Sequence, residues 1–239
     1  MTQKFDYIQH YKIDAEEFDY FEERAGATKH DERRVHQYIL SKINKNSLSV
    51  LDVGTGSAWV AEHFQNTPVK VVSLDISKKN VLIANQKYPS DNHSPIVADS
   101  YTLPFIDNSF DTVIASEIIE HVISPKDFVA ELCRVVKFNG KLIVTTPYKE
   151  KLRYFLCIHC NKKTPVHSHI HSFDENKLIE LSPDKFNVSW SVFGNKFLLF
   201  VRTYVLLQYF PFWLWKITDL IFNKIKNIPA HILVEYNKK

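Results

Sequence analysis

The stretch Leu51-Asp52-Val53-Gly54-Thr55-Gly56 constrains the fold more than any other part of this chain. An apolar run ends in an acid, and two glycines one residue apart follow it. Glycine permits a tight turn and lets a backbone approach a ligand with no Cβ in the way. A second apolar run, Val69 to Asp75, again ends in an acid, 21 residues after Gly54. A helical segment follows each run. Strands alternating with helices predict a parallel sheet covered on both faces, with ligands beyond the carboxyl ends of the strands.

The rest of the first two thirds keeps this rhythm. The first 30 residues alternate aromatics and acids and predict a helical cap. Thr28 and Asp31 are spaced as a helix start, and Val35, Tyr38, Ile39 and Ile43 fall on one helical stripe. "SLSVLDV", "VKVVSLD", "SPIVAD", "FDTVIAS" and "KLIVTTP" read as strands one to five. "SAWVAEHF" and "SKKNVLIANQKY" read as helices, the latter stopped at Pro89. "EIIEHV" reads as a helix leaving strand four. Ser124-Pro125 starts another, with Phe128, Val129, Leu132, Cys133 and Val136 on its buried stripe and Asn139-Gly140 at its end. After Pro147 the period breaks. Ser172 and Glu175 then read as a capping box, "KFNVSWSVF" as a strand and "AHILVEY" as the last one.

Two ligand classes fit the glycines: a dinucleotide and S-adenosylmethionine. A glycine pair after a strand is also compatible with a tight turn alone. The dinucleotide pattern G-x-G-x-x-G fails at Trp59, and Asp52 would repel a pyrophosphate. A sulfonium and an ammonium favour an acidic neighbour.

Residues 48 to 147, with "VADSYTLPFIDNSFDTVIASEIIEHV" and "ELCRVVKFNGKLIVTTP" in order, resemble the class I S-adenosylmethionine-dependent methyltransferases. The first motif of that family, acid-x-G-x-G, is here Asp52-Val53-Gly54-Thr55-Gly56, with Ala58 where a third glycine is common. "KPGG" appears as "KFNG". The resemblance implies a cofactor site at Asp52, Gly54, Thr55, Gly56, Asp75, Ile76, Asp99, Ser100 and Ser116. It implies that Asp75 holds the ribose hydroxyls and that Asp99 contacts the adenine amino group. A methyl on a sulfonium is already electrophilic, so the protein must align a nucleophile and exclude water. Alignment supplies up to ~7–11 kcal/mol, and a general base a further ~10²–10⁴-fold.

Glu117, Glu120 and His121, at i, i+3 and i+4, are expected on one helix face at the cleft rim. Glu117 and His121 are the catalytic candidates. Structural helix residues, a metal-free base and a divalent-ion site are all compatible with this spacing. The arrangement resembles the ubiquinone-biosynthesis O-methyltransferases. It also resembles the small-RNA 3′-end 2′-O-methyltransferases, whose Glu, Glu, His and later His hold a metal; His167, His169 and His171 are available for the fourth place. Cys157-x-x-Cys160 followed by His167 and His171 has zinc-ligand spacing and predicts a zinc site; reduced surface thiols and solvated histidines are the other reading. Cys133 reads as a core residue.

Three cysteines make a disulfide framework improbable and point to a reducing, cytoplasmic setting. The polar, acidic N-terminus shows no secretory signal pattern. The run from Phe197 to Phe222 has the length of a membrane span, but Arg202, Pro211, Lys216 and Asp219 interrupt it. It reads as helices packing on the sheet or forming a homodimer seam, or else as a lid or a lipid-touching surface, with Trp213 and Trp215 beside Lys216. The net charge of +3 argues against a nucleic-acid partner.

The expected architecture is α/β: a doubly wound, mostly parallel seven-strand sheet, Rossmann-like, in a single domain of residues 1–239. Within it, 1–46 form a helical cap, 47–147 the cofactor-binding core, 148–172 a Cys/His insertion after strand five, and 173–239 the rest of the sheet with the aromatic segment. The expected function is methyl transfer from S-adenosylmethionine to a small-molecule acceptor, at oxygen. A metal-assisted RNA 2′-O-methyltransferase and a non-catalytic S-adenosylmethionine-binding module are the alternatives.

Overall fold

A computed structural model describes residues 5–239. Two helices, α1 (Tyr7–Glu17) and α2 (Gly26–Leu40), precede the sheet. The first four residues of the expected cap lie outside the described residues. Then come β1 (Ser49–Val53), α3 (Trp59–Phe64), β2 (Lys70–Asp75), α4 (Lys78–Lys87), β3 (His93–Val97) and β4 (Phe110–Ser116). After these follow α5 (Pro125–Arg134), β5 (Val136–Pro147), β6 (Tyr154–Leu156), β7 (Lys163–Pro165) and α6 (Glu175–Glu180). The chain ends with β8 (Phe186–Asn195), α7 (Lys196–Phe200), α8 (Tyr204–Leu207), α9 (Phe212–Ile225) and β9 (Pro229–Lys238).

Seven strands form one sheet in the order β3-β2-β1-β4-β5-β9-β8. The first five are parallel, and β9 is antiparallel to both neighbours. This is the mostly parallel Rossmann-like sheet expected from the sequence. Successive residues of the central strands alternate between two buried layers. Leu51, Val113, Leu142 and Val144 pack on one face with Phe128 and Leu132 of α5. Val50, Ile114, Ile143 and Leu233 pack on the other with Val35, Tyr38 and Ile39 of α2. Burial on both faces is why these strands read as unbroken apolar runs.

Several local expectations change. Helix α2 starts at Gly26 with Ala25 as its cap, so Thr28 lies inside the helix. Helix α5 ends at Arg134, and Val136 already belongs to β5. Asn139-Gly140 therefore does not end a helix. It sits in a bulge where the β4–β5 register jumps from Phe110↔Val136 to Thr112↔Lys141. A Cβ at Gly140 would lie 2.7 Å from the Asp111 carbonyl oxygen, which only glycine tolerates. The cap of α6 is Asp174, which accepts from Lys177 N, and not Ser172. "EIIEHV" is only a short 3₁₀ turn at Ile119–His121, because Glu117 takes a left-handed φ of +52°.

The insertion forms a β6–β7 hairpin. Its register corrects the zinc expectation. Cys157 and Cys160 lie in the turn beyond Leu156↔Lys163, while His167 follows the other end of the hairpin, beyond Tyr154↔Pro165. Three paired residues separate the two ends, about 10 Å of strand. His171 packs near the Phe173 ring instead. Among the described residues no third ligand joins the two thiols, and the structure does not bring Cys157, Cys160, His167 and His171 together.

Candidate active site

A cleft of about 1020 Å³, open mouth included, lies at the carboxyl ends of β1, β2 and β4. Gly54 and Gly56 form its floor, with φ of +67° and +49°. Ala58 follows with φ +57°, the left-handed position at which a third glycine would be at ease. The turn is locked by Gly54 N and Thr55 N, which both donate to Leu74 O.

Asp52 and Thr55 do not line this cleft. Both are buried behind the turn, where the Thr55 hydroxyl donates to Asp52 Oδ2 at 2.6 Å. Burial pushes the Asp52 carboxyl up to about 7, against the Thr55 bond, and the nearby Asp75 charge adds to the rise. The acid of the motif braces the loop from behind and does not line the cleft. Ser116 also stays outside, bonded to the Thr145 hydroxyl at 3.3 Å. Trp59 does not obstruct the cleft; it stacks on His36 with ring centroids 3.9 Å apart.

Asp75, Ile76, Asp99 and Ser100 do line it. Asp75 accepts from Ser77 N at 2.8 Å and sits within 3.4 Å of Gly56 N and Asn80 Nδ2. Burial raises its carboxyl pKa against those bonds. Asp99 accepts from Tyr101 N and from the Tyr7 hydroxyl.

The far wall comes from parts that sequence reasoning did not assign. Tyr7, Tyr11 and Asp14 of α1, with Tyr20, cover the cleft. Their spacing, i, i+4 and i+7, was a legible one-face signal in the N-terminal aromatic run. Glu117 and His121 close the other end, with His167 and Ser168. Glu117 Oε1 is buried with no hydrogen-bond partner. Its Oε2 lies 3.4 Å from His231 Nδ1, and His231 Nε2 lies 2.9 Å from Asp31 Oδ2. Burial lowers the His231 pKa, but Glu117 and Asp31 outweigh it and push it up to about 10.

Glu117, Glu120 and His121 do not share a helix face. The structure instead joins Glu120, His121 and His169, whose ligand atoms lie within 4.8 Å of one another. Ile170 N and His171 N donate to Glu120 O, which fastens the insertion beside the turn. Glu120 is fully buried, accepts from the Thr146 hydroxyl at 2.9 Å, and has its pKa raised by burial and then by Glu117. Burial and the neighbouring His169 push His121 down to about 4, leaving a neutral imidazole. Glu150 Oε2 lies 2.5 Å from His169 Nδ1, which leaves Nε2 free.

Residues 51–144 match the family described as "Methyltransferase domain", Methyltransf_11. Demethylmenaquinone methyltransferase of Renibacterium salmoninarum is 38% identical over 95 residues, 40% of this chain and 39% of that one. Ubiquinone biosynthesis O-methyltransferase of Rickettsia prowazekii is 32% identical over 129 residues, 51% of each. The chain thus spans about half the length of these curated relatives or less. The solved S-adenosylmethionine-dependent methyltransferase of Mesorhizobium loti superposes with a TM-score of 0.59 at 14% identity, over 89% of this chain and all of that one. Residues 51–144 thus match a methyltransferase domain, and the chain shares the fold of that solved methyltransferase.

Proposed function

We propose that this protein transfers the methyl group of S-adenosylmethionine to an oxygen of a small-molecule acceptor. The observation that carries this is the charge of the cleft. Asp14, Asp75, Asp99 and Glu117 line it, and among the described residues no lysine or arginine does. A pyrophosphate would meet four carboxylates there. A sulfonium with an ammonium finds favourable partners, above all the unpartnered Glu117 Oε1. The bound donor supplies an electrophilic methyl.

The chain then does three things. Asp75, at the end of β2, is placed to accept from ribose hydroxyls, and Asp99 with Ser100 to meet the purine edge. Glu117 holds a carboxylate over the cleft in a strained left-handed conformation, which His231 and Asp31 sustain. Tyr7, Tyr11 and Tyr20 wall the cleft with aromatic rings, which limits the water beside the reacting atoms. Preference for oxygen rests on the histidine-lined rim and on the printed activity of the Rickettsia relative.

A second reading adds a divalent ion at Glu120, His121 and His169. An imidazole pushed to about 4 is a weak proton acceptor at neutral pH, but its lone pair is open to a metal. An ion held there would polarise an acceptor hydroxyl. Calorimetry with S-adenosylmethionine and with a nicotinamide dinucleotide tests the main reading: uptake of the first alone is expected, and uptake of the second alone refutes it. Release of S-adenosylhomocysteine with catechol-type and quinol-type acceptors separates an enzyme from a binding module.

A further inference from the structure

The connection between β8 and β9 carries more exposed apolar surface than a buried seam would leave. Strand β8 runs antiparallel to β9, and β9 antiparallel to β5, so β8 points the same way as β5. Residues 196–228 therefore leave the sheet at its carboxyl edge, the edge that holds the cleft.

Helix α9 is fastened to that edge by its inner face. Asp219 is buried and accepts from Gly194 N at 3.1 Å and Asn195 N at 2.7 Å. Trp215 is buried beneath the Arg34 guanidinium, 5.1 Å from its ring centroid. The outer face is just as apolar. Trp213, Ile217, Leu220, Ile221 and Ile225 are all exposed, at i, i+4, i+7, i+8 and i+12. In the preceding turns Phe200 is 83% exposed and Tyr209 79%. Exposed apolar surface on this scale marks an interaction surface.

Its charged residues identify the partner. Lys196, Arg202, Lys216, Lys224 and Lys226 lie in this segment. Its one acid is Asp219, which is buried and bonded to backbone. Within this segment every exposed charged side chain is therefore cationic. A helix of 14 residues is about 21 Å long, too short to cross a bilayer core of about 30 Å. Among the described residues no helix is long and apolar enough to cross. Such a helix lies in the interfacial plane, its apolar side among acyl chains and its lysines at the headgroups.

We propose that α7, α8 and α9 form a docking surface for an anionic lipid bilayer. Docking there turns the cleft edge of the sheet toward the membrane. On the methyl-transfer reading above, that favours an acceptor carried on a lipid tail.

Flotation of the full chain with vesicles tests this. Binding is expected to vesicles of phosphatidylcholine mixed with phosphatidylglycerol, to weaken at high salt, and to be at least tenfold weaker with phosphatidylcholine alone. Trp213→Glu with Ile217→Glu should abolish flotation while the melting temperature and donor affinity stay unchanged. Lys196→Gln with Lys224→Gln, which leaves the apolar face intact, should weaken it by about fivefold per lysine. Equal binding to neutral and anionic vesicles overturns the proposal, as does no binding to either. A dimer in sedimentation that Trp213→Glu dissolves overturns it in favour of a second copy of this chain. Vesicle binding needs no turnover, so its failure leaves the methyl-transfer reading standing.

Discussion

His231 Nδ1 lies 3.4 Å from Glu117 Oε2, across the junction between the last strand and the cleft. Asp31 of α2 holds the opposite nitrogen at 2.9 Å. Three distant parts of the chain thus meet in one array, the His231 ring held between two part-exposed carboxylates.

That array makes stability depend on pH in the alkaline direction. The folded-state pKa of His231 is raised from 6.5 to about 10. A raised value means the stabilisation is complete below 6.5 and is lost as pH climbs through 10. Denaturant titrations should show the protein weakening across that window. His231→Asn, which leaves two part-exposed carboxylates unpaired, should cost ~1.5–3 kcal/mol at neutral pH and flatten the alkaline decline. A variant with the same alkaline slope as the parent would refute the array.

Asp75 is the best single test of the donor site. Asp75→Ala removes the acceptor assigned to ribose hydroxyls, and hydrogen bonds to charged groups contribute ~1.5–3 kcal/mol. Donor affinity should fall roughly tenfold to a hundredfold by calorimetry. Asp52→Asn, altering an acid that does not line the cleft, should act mainly on stability and much less on affinity. Equal affinity losses from the two would contradict the placement of Asp52 behind the turn.

His121 separates the base and metal readings. His121→Asn should lower turnover by ~10²–10⁴ on either. Only the metal reading expects His169→Ala to lower it comparably and a chelator to abolish it. Activity indifferent to chelation, with elemental analysis showing no bound ion, removes the metal.

Gly140 tests the bulge in β5. A Cβ there meets the carbonyl oxygens of Asp111 at 2.7 Å and Lys137 at 2.9 Å, both backbone atoms that cannot swing aside. Gly140→Ala should cost ~1–3 kcal/mol in a denaturant titration. A neutral effect would mean that the strand relaxes around the extra methyl.

Phe128 is fully buried, with its ring near Tyr101 at 6.3 Å between centroids. Phe128→Ala should destabilise the protein by ~3–5 kcal/mol. Because Tyr101 lines the cleft, a smaller loss of donor affinity should accompany it.

The sequence by itself determined the sheet and the donor side of the cleft. Leu51, Val113, Ile143 and their neighbours are apolar on every residue because both strand faces are covered, and that pattern is local. Gly54, Gly56 and Asp75 sit at strand ends, where the topology of such a sheet opens its cleft. Local signals were less reliable at boundaries. Asn139-Gly140 has the chemistry of a helix end and also that of a strand bulge, and only pairing with β4 decides between them.

Tertiary structure alone decided the acceptor side. Helical spacing placed Glu117 with Glu120 and His121, but the left-handed turn at Glu117 sends it to His231, 114 positions away. The register of a three-pair hairpin separated the cysteines from the histidines that follow them. His169 joined Glu120 because backbone bonds pin the insertion there. Period and composition report which residues face inward, but they carry no information on which distant side chains then meet.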